Sequence, residues 1–197
     1  EKTVIACVVP PMRSILEAFC RKYLGHPPVW VDPRRFDLMP IRYNNPAEVG
    51  ADRVVNAIGA YHRYRQGLVV IDFGTATTFD AISESGEYLG GAISPGIMIS
   101  AEALFMKASK LPRVEIFSPP THAIGKDTAE SMQAGIIFGY AALVDGLALR
   151  MAGEMSPPPK IIATGGLAPL MAEVCKTIEE VDLSLTLEGL RIIGELS

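Results

Sequence analysis

Apolar strands alternate with amphipathic helices along most of the 197-residue chain. A β-branched run over Thr3–Val9 ends at two prolines and predicts a buried strand, because proline has no amide proton to donate to a sheet. Apolar residues at helical spacing then predict a helix over Met12–Tyr23, with Gly25 near its end. A second short strand is predicted over Val29–Val31.

The alternation continues through the middle of the chain. After a Pro- and Asn-rich connector over residues 32–46, the spacing predicts a helix over Asp52–Tyr61 and a buried strand over Leu68–Ile71. The stretch Asp72–Thr78 follows, and a hairpin with a glycine turn is predicted over Phe79–Leu89.

The carboxyl-terminal part predicts helices over Ile97–Ala108, Thr128–Met151 and Pro169–Thr177, with a strand over Lys160–Ala163. Strands that alternate with helices indicate an α/β fold, whose sites lie at the carboxyl ends of the strands. The helix that begins at Thr128 is apolar nearly all round. This pattern indicates burial on several sides, either in the core or against a second subunit.

Composition excludes several classes of protein. A hydrophobic fraction of 49% with 20% charged residues is the opposite of a disordered chain. A net charge of −4 without a block of Lys or Arg argues against nucleic acid or an anionic membrane as partner. The longest apolar stretch, Ala134–Leu149, contains Asp145 and is shorter than the roughly 20 residues that span a bilayer. Three widely spaced cysteines fit a reducing, cytoplasmic setting.

The strongest candidate site is the stretch Asp72–Thr78. A carboxylate at the end of a buried strand needs a partner, because an isolated charge is costly to desolvate. Gly74 lets a ligand approach the backbone, and Thr75, Thr77 and Thr78 supply hydroxyls, so the stretch suits an anion or a cation–phosphate assembly. An ordinary β-turn explains the same residues equally well. The Walker pattern is absent, which excludes a P-loop protein.

A second candidate combines Asp52 and Arg53 at a helix start after Gly50. A carboxylate there caps free amides for about 0.5–2 kcal/mol, so a purely structural role is a strong alternative. The functional interpretation is that Asp52 accepts a hydroxyl proton while Arg53 binds a carboxylate bidentately. Gly165 and Gly166 allow a flat ring or a ribose to lie against the backbone, although diglycines often only turn a strand into a helix.

Taken in order, these motifs resemble the type III pantothenate kinases, members of the acetate kinase, sugar kinase, heat-shock ATPase and actin superfamily. The resemblance covers nearly the whole chain. The matching stretches are Val8–Pro11, Tyr43–Ala57, Asp72–Asp80, Gly86–Ile93, Pro95–Gly96, Lys110–Pro112, Gly125–Lys126 with Thr128, Ser131–Gly135 and Ala163–Leu167.

The resemblance implies an α/β fold of two ribonuclease H-like lobes with mixed sheets and flanking helices. Residues 1–66 would be the remainder of the first lobe with the connector and the Gly-Ala-Asp-Arg helix, and residues 67–197 the second lobe. Family members begin with an Asp-x-Gly-Asn-Thr phosphate loop that this sequence lacks, so the first lobe is expected to be incomplete at its amino terminus. A catalytically impaired or regulatory paralogue, and a related kinase with another small-molecule substrate, stay as alternatives.

The resemblance also implies the reaction, which is ATP-dependent phosphorylation of pantothenate to 4′-phosphopantothenate, the first step of coenzyme A biosynthesis, in a cytoplasmic homodimer. The cofactors would be Mg²⁺ and a monovalent cation, K⁺ or NH₄⁺. Asp52 would be the proton acceptor and Asp72 the ligand of the monovalent cation. The ATP site would comprise Gly74, Thr75, Gly165 and Gly166, and the pantothenate pocket Tyr43, Gly50, Ala51, Asp52, Arg53 and Thr128.

Overall fold

The computed structural model describes residues 2–32 and 38–196, so residues 33–37 of the predicted connector lie outside the described part. The helices are α1 Met12–Phe19, α2 Ala51–Tyr64, α3 Ile97–Lys107, α4 Thr128–Gly153, α5 Ala168–Ala172 and α6 Leu185–Leu196. The strands are β1 Val4–Ile5, β2 Val29–Trp30, β3 Leu68–Phe73, β4 Ala76–Ile82, β5 Tyr88–Pro95, β6 Lys160–Thr164 and β7 Glu180–Val181.

The amino-terminal unit is a small parallel sheet of β1 and β2 with α1 beside it in sequence. The predicted strand over Thr3–Val9 is wrong beyond its first residues, because β2 is only two residues long and pairs, within the described residues, with Val4 and Ile5. Val8 and Val9 are accordingly exposed. The predicted helix over Met12–Tyr23 is confirmed: α1 continues through a turn of π-helix, and Gly25 ends it with a φ of 77°.

The main sheet has five strands in the order β5-β4-β3-β6-β7. The central strand β3 is antiparallel to β4 and parallel to β6, and the edge strands continue each arrangement, with β5 antiparallel to β4 and β7 parallel to β6. Helices cover both faces of this sheet, which confirms the mixed α/β class.

Alternate residues of β3 belong to two different cores. Val69 and Ile71 pack in a cluster that includes residues of α3, α4 and α5. Leu68 and Val70 pack with residues of α2 and α6 on the other face. Burial on both faces explains why β3 is a continuous apolar run instead of an alternating one.

Helix α6 was not among the predicted elements, and it packs tightly against α2. A Cβ on Gly59 would lie 2.6 Å from the carbonyl oxygen of Leu185, and a Cβ on Gly189 would overlap the carbonyl oxygen of Val55. Glycine at both positions therefore permits close approach of the two helix backbones. This contact brings the start of α6 next to the middle of α2.

Helix α4 is a core helix. By length and composition alone, Thr128–Gly153 is long and apolar enough to cross a bilayer. The exclusion of a membrane span from the sequence considered only the stretch Ala134–Leu149 and so underestimated the length of this apolar helix, which extends beyond that stretch at both ends. However, 44% of its most apolar window is buried inside the protein, and Ile137, Val144 and Ala148 are fully buried in the core that α4 shares with β3.

The predicted helix over Pro169–Thr177 is too long at its carboxyl end. Helix α5 ends at Ala172, and the amides of Lys176 and Thr177 instead donate hydrogen bonds of 2.9 and 3.0 Å to the carboxylate of Asp145 in α4. A long-range side-chain acceptor thus replaces the helical acceptors that the sequence pattern suggested.

Candidate functional site

Asp72 lies at the carboxyl end of the central strand, between two neighbouring strands. It pairs with Thr78 of antiparallel β4 and with Thr164, the last residue of parallel β6. Its side chain is half-buried. This edge is where open α/β sheets bind their ligands.

One carboxylate oxygen of Asp72 faces a space that glycines leave without side chains. A Cβ on Gly165, whose φ is +92°, would lie 2.6 Å from Oδ1 of Asp72 and 2.7 Å from the carbonyl oxygen of Phe73. A Cβ on Gly74 would lie 3.6 Å from the same Oδ1. The carboxylate oxygen and the Phe73 carbonyl oxygen therefore converge beside Gly165, where both the space and the positive φ favour glycine.

The other carboxylate oxygen of Asp72 is held by a buried amide. Nδ2 of Asn56 donates a hydrogen bond of 2.9 Å to Oδ2 of Asp72, and Oδ1 of Asn56 accepts one of 2.7 Å from the hydroxyl of Thr186. Burial raises the pKa of Asp72, the bond from Asn56 lowers it, and the negative charge of Asp52 raises it. The carboxylates of Asp52 and Asp72 are thus close enough to interact electrostatically.

Asp52 lies in the first turn of α2, whose N-cap is Gly50. Its Oδ1 accepts a hydrogen bond of 2.9 Å from the backbone N of Arg53. A Cβ on Gly50 would come within 2.5 Å of this oxygen, so glycine permits the observed side-chain position. The side chain therefore lies at the amino-terminal end of α2, close to its free backbone amides.

Arg53 is buried rather than open to solvent, with a relative exposure of 6%. Its Nε donates a hydrogen bond of 2.7 Å to Oδ1 of Asp80, and Nη2 donates a longer one of 3.4 Å to the carbonyl oxygen of Phe79. The free guanidinium fork that the sequence interpretation assumed is therefore already engaged at Nε. Any contact of Arg53 with a ligand must use the terminal nitrogens.

Asp80 is fully buried and lies at the centre of a polar network. Besides Arg53, the hydroxyl of Tyr88 donates to its Oδ1 at 2.7 Å, and the hydroxyl of Thr78 donates to its Oδ2 at 3.3 Å. Burial raises the pKa of Asp80 to about 6, although Arg53, Tyr88 and Thr78 each lower it. Asp80 is therefore ionised at neutral pH and forms an ion pair that joins α2 to β4.

We expect the raised pKa of Asp80 to make stability depend on pH. Its folded value of about 6 lies above the unfolded value of 3.8, so the folded state binds more protons between these values. Lowering the pH from 7 to 4 should therefore raise the unfolding free energy of the wild type, relative to Asp80→Asn, by roughly 1–3 kcal/mol. Urea unfolding of both proteins at the two pH values measures this difference. A difference that does not change with pH would contradict the dominance of burial.

Tyr43 lies beside this network. Its ring centroid is 6.4 Å from that of Tyr88, and a Cβ on Gly90 would lie 3.7 Å from the Tyr43 ring. The guanidinium of Arg53 in turn lies 5.9 Å from the centroid of the Tyr88 ring. The structure thus brings Tyr43 together with the Gly50–Arg53 segment through Tyr88.

The turn between β3 and β4 consists of Gly74 and Thr75, and both residues are exposed. Of the three threonines that the sequence offers as sources of ligand hydroxyls, the structure places one on this turn. Thr77 lies in β4 with its hydroxyl buried and, among the described residues, without a hydrogen-bond partner. The hydroxyl of Thr78 is bonded to Asp80. Because β4 begins at Ala76, only Thr75 keeps its side chain on the exposed turn.

Thr128 lies elsewhere, at the start of α4. It lines an apolar groove of about 520 Å³ between α3 and α4, together with residues that include Leu104, Gly139 and Tyr140. Among the described residues, this lining includes neither Tyr43 nor the Gly50–Arg53 segment. The hydroxyl of Tyr140 is buried and has no hydrogen-bond partner in the described part of the chain.

Four residues of the site were not singled out from the sequence: Asn56, Asp80, Tyr88 and Thr186. For two of them, Asn56 and Asp80, the sequence does carry a signal. Asn56 is an amide on an otherwise apolar helix face, and Asp80 is a charge inside an apolar strand, so each needs a buried partner. For Thr186 the sequence carries no comparable signal.

Comparisons with known proteins agree with one another on the family. A family model described as type III pantothenate kinase matches residues 1–150. A type III pantothenate kinase from Desulfatibacillum aliphaticivorans is 70% identical over 191 residues, which cover 97% of this chain and 74% of that relative. Another, from Desulforapulum autotrophicum, is 63% identical over 196 residues, covering 99% of this chain and 75% of the relative.

A solved structure supports the fold. It is described as a Baf family transcriptional activator from Campylobacter jejuni and matches with a TM-score of 0.66, covering 100% of this chain and 83% of that chain. The sequence identity is 21%, so the likeness concerns the fold alone.

Proposed function

The chain belongs to the type III pantothenate kinase family, and from this premise we propose how its residues carry out the reaction. The enzyme transfers the γ-phosphoryl group of ATP to the hydroxyl of pantothenate, giving 4′-phosphopantothenate and ADP. In phosphoryl transfer a protein contributes mainly positioning and electrostatic stabilisation. The site is therefore interpreted in those two terms.

The observation that carries the proposal is the pair of carboxylates at the α2–β3 edge. Asp52 and Asp72 interact electrostatically, and each has one oxygen held by a donor from α2, the amide of Arg53 or the side chain of Asn56. We assign Asp52 as the proton acceptor for the pantothenate hydroxyl. A loose transition state demands little base strength, so a carboxylate suffices as the acceptor.

Asp72 is proposed as the ligand of the monovalent cation, K⁺ or NH₄⁺. The convergence of its Oδ1 with the carbonyl oxygen of Phe73 beside Gly165 fits this role, because hard cations prefer oxygen ligands. A cation bound there would offset negative charge on the phosphates. Among the described residues no cluster of three or more His, Cys, Asp or Glu could hold a metal ion. Mg²⁺ is proposed to be held largely by the ATP phosphates, because this ion usually binds substrate phosphates together with one or two carboxylates.

The nucleotide is proposed to bind at the same edge, along the exposed backbone of the two glycine-containing turns. Gly74 and Thr75 connect β3 to β4, and Gly165 and Gly166 follow β6. No side chain at the glycine positions hinders close approach of a phosphate or ribose. The hydroxyl of Thr75 is the group proposed to contact phosphate.

Pantothenate is proposed to bind beside α2, between Tyr43 and the segment Gly50–Arg53. Asp80 fixes Arg53, so a terminal guanidinium nitrogen can meet the substrate in a set position. The contact of Thr128 with pantothenate stays a prediction from the resemblance. Thr128 lines the α3–α4 groove, whose described lining does not include Tyr43 or the segment Gly50–Arg53.

We also propose a cytoplasmic location and a division of the chain into two lobes between residues 66 and 67. Helix α2 packs across that division against β3.

The α3–α4 groove is proposed as the face of a homodimer. It is lined by exposed Leu104, by the exposed glycines Gly135 and Gly139 and by Tyr140, whose hydroxyl is unpartnered within the described chain. A contiguous exposed apolar face is typical of an interaction site.

We expect Gly139→Arg to convert a two-chain particle into a single chain. A Cβ on Gly139 meets no atom within 4 Å, so the variant folds as one chain while its side chain blocks a partner. Light scattering after size-exclusion chromatography measures the mass. The matched control is Gly153→Arg, at the exposed end of α4, where a Cβ also meets nothing within 4 Å. A dimeric Gly139→Arg protein, or a monomeric wild type, would contradict this face.

The substrate assignment is tested by ADP release with alternative acceptors. Pantothenate is expected to support turnover, whereas short hydroxycarboxylates and sugars should not, because each lacks part of the pantothenate chain that is proposed to lie between Tyr43 and the segment Gly50–Arg53. The wild-type chain is assayed with each acceptor at matched concentration, with an acceptor-free control for ATP hydrolysis. Faster turnover with a sugar than with pantothenate would overturn the assignment.

A further inference from the structure

Thr186 lies two hydrogen bonds away from the carboxylate of Asp72, although it belongs to the carboxyl-terminal helix α6. Its hydroxyl lies 2.7 Å from Oδ1 of Asn56, whose Nδ2 lies 2.9 Å from Oδ2 of Asp72. The residue lies outside the range 1–150 that the family model matches. The chain of contacts therefore links α6, α2 and β3 at the candidate cation site.

The direction of each hydrogen bond in this chain follows from chemistry. An ionised carboxylate only accepts hydrogen bonds, so Asn56 must turn its NH₂ group towards Asp72. The oxygen of the same amide then faces Thr186 and needs a donor, which the hydroxyl supplies. Asn56 is only 1% exposed, so water has little access to replace that donor.

The position of Thr186 is fixed by the packing of α6. The start of this helix is tied by Asp182, which is 5% exposed and accepts hydrogen bonds of 3.0 and 2.9 Å from the backbone N and the hydroxyl of Ser184. Asp182 also forms an ion pair with Arg63 of α2. After Thr186, Gly189 packs closely against the backbone of Val55 in α2, so the hydroxyl of Thr186 reaches Asn56 from a helix held on both sides of it.

We propose that Thr186 is a positioning residue for the cation site, acting through Asn56. By completing the hydrogen bonds of Asn56, it holds Oδ2 of Asp72 and leaves Oδ1 in the space beside Gly165, next to the carbonyl oxygen of Phe73. This inference rests on the proposed function in one respect, namely that Asp72 binds the monovalent cation.

The test compares Thr186→Val with Thr186→Ser. Valine keeps the shape of threonine but removes the donor, whereas serine keeps the hydroxyl. The readout is the thermal midpoint of the full chain with Mg²⁺ and ADP while KCl replaces choline chloride at constant ionic strength. In Thr186→Val, the KCl concentration that gives half of the stabilisation should rise about fivefold, which is the change in a binding constant expected from the loss of one hydrogen bond. In Thr186→Ser it should stay at the wild-type value. Thr186→Ala, which adds no methyl group, should behave like Thr186→Val and serves if valine prevents folding.

The outcomes distinguish the cation site at Asp72 from the positioning role of Thr186. If Thr186→Val and Thr186→Ala respond to KCl at the same concentration as the wild type, the positioning role of Thr186 is overturned while the cation site stands. If Thr186→Ser is shifted as much as Thr186→Val, the hydroxyl is not the cause and the inference is also wrong. If the wild type itself shows no response specific to KCl, the cation assignment of Asp72 fails, and the inference fails with it.

Discussion

Asp52→Asn should lower kcat by a factor of about 10²–10⁴, because the amide cannot accept the proton of the pantothenate hydroxyl. Asparagine keeps an oxygen that can accept the hydrogen bond from the backbone N of Arg53, so the start of α2 is preserved. Nucleotide binding should remain near normal, since Gly74, Thr75 and Asp72 are untouched. Steady-state ADP release gives kcat, and calorimetric titration with ADP gives the affinity.

The matched control for Asp52→Asn is Glu48→Gln. Glu48 is a carboxylate in the same segment, exposed to solvent, with a hydrogen bond of 2.9 Å from Asn45. Its neutralisation should leave kcat unchanged. An Asp52→Asn enzyme with wild-type turnover would mean that another group accepts the proton, and the assignment of Asp52 would be abandoned.

Asp80→Ala should destabilise the protein by about 3–5 kcal/mol, because it leaves a buried guanidinium without its counter-charge. The side chain of Arg53 is only 8% exposed, and the hydroxyl of Tyr88 loses its acceptor as well. Asp80→Asn should cost less than alanine, since it keeps an acceptor oxygen and burial already raises the pKa of Asp80. Urea unfolding at neutral pH measures both losses.

A second ion pair of the same charge type provides the control for Asp80. Arg42 and Glu87 are 2.5 Å apart, but their side chains are 63% and 27% exposed. Exposed pairs typically contribute less than about 1 kcal/mol, so Glu87→Ala should have a small effect. If Asp80→Ala cost no more than Glu87→Ala, the buried network would not be what holds Arg53 in place.

The apolar pattern best predicts the helices and strands that carry a long run of buried residues. It is less reliable for elements whose length depends on a partner elsewhere in the chain. The positions of α2, β3 and α4 were predicted to within a few residues, because α2 and α4 pack apolar residues against the sheet and β3 is buried on both of its faces. The strand at β1 was overestimated because its length depends on a partner strand of two residues. The end of α5 depends on Asp145, which is 31 residues away from Lys176.

The residues of the candidate site likewise fall into those that the sequence predicts and those that it does not. Asp52 and Asp72 could be singled out because each lies two residues from a glycine, Asp52 at the start of a predicted helix and Asp72 just after a predicted strand. Their supporting residues could not, since Asn56 meets Asp72 across 16 residues, Arg53 meets Asp80 across 27, and Thr186 meets Asn56 across 130. Such pairings are set by the strand order and by the α2–α6 contact, which are properties of the folded chain.

The central claim is that this site transfers a phosphoryl group from ATP to the hydroxyl of pantothenate. Phosphorus NMR of the wild-type chain with ATP, Mg²⁺, K⁺ and pantothenate tests it most directly, because it identifies the product as well as the loss of ATP. The account predicts a new phosphomonoester signal that grows in step with ADP, and that grows at least about 100-fold more slowly with the Asp52→Asn variant. Formation of ADP with only inorganic phosphate, or a phosphomonoester signal that grows at the wild-type rate in the variant, would contradict it.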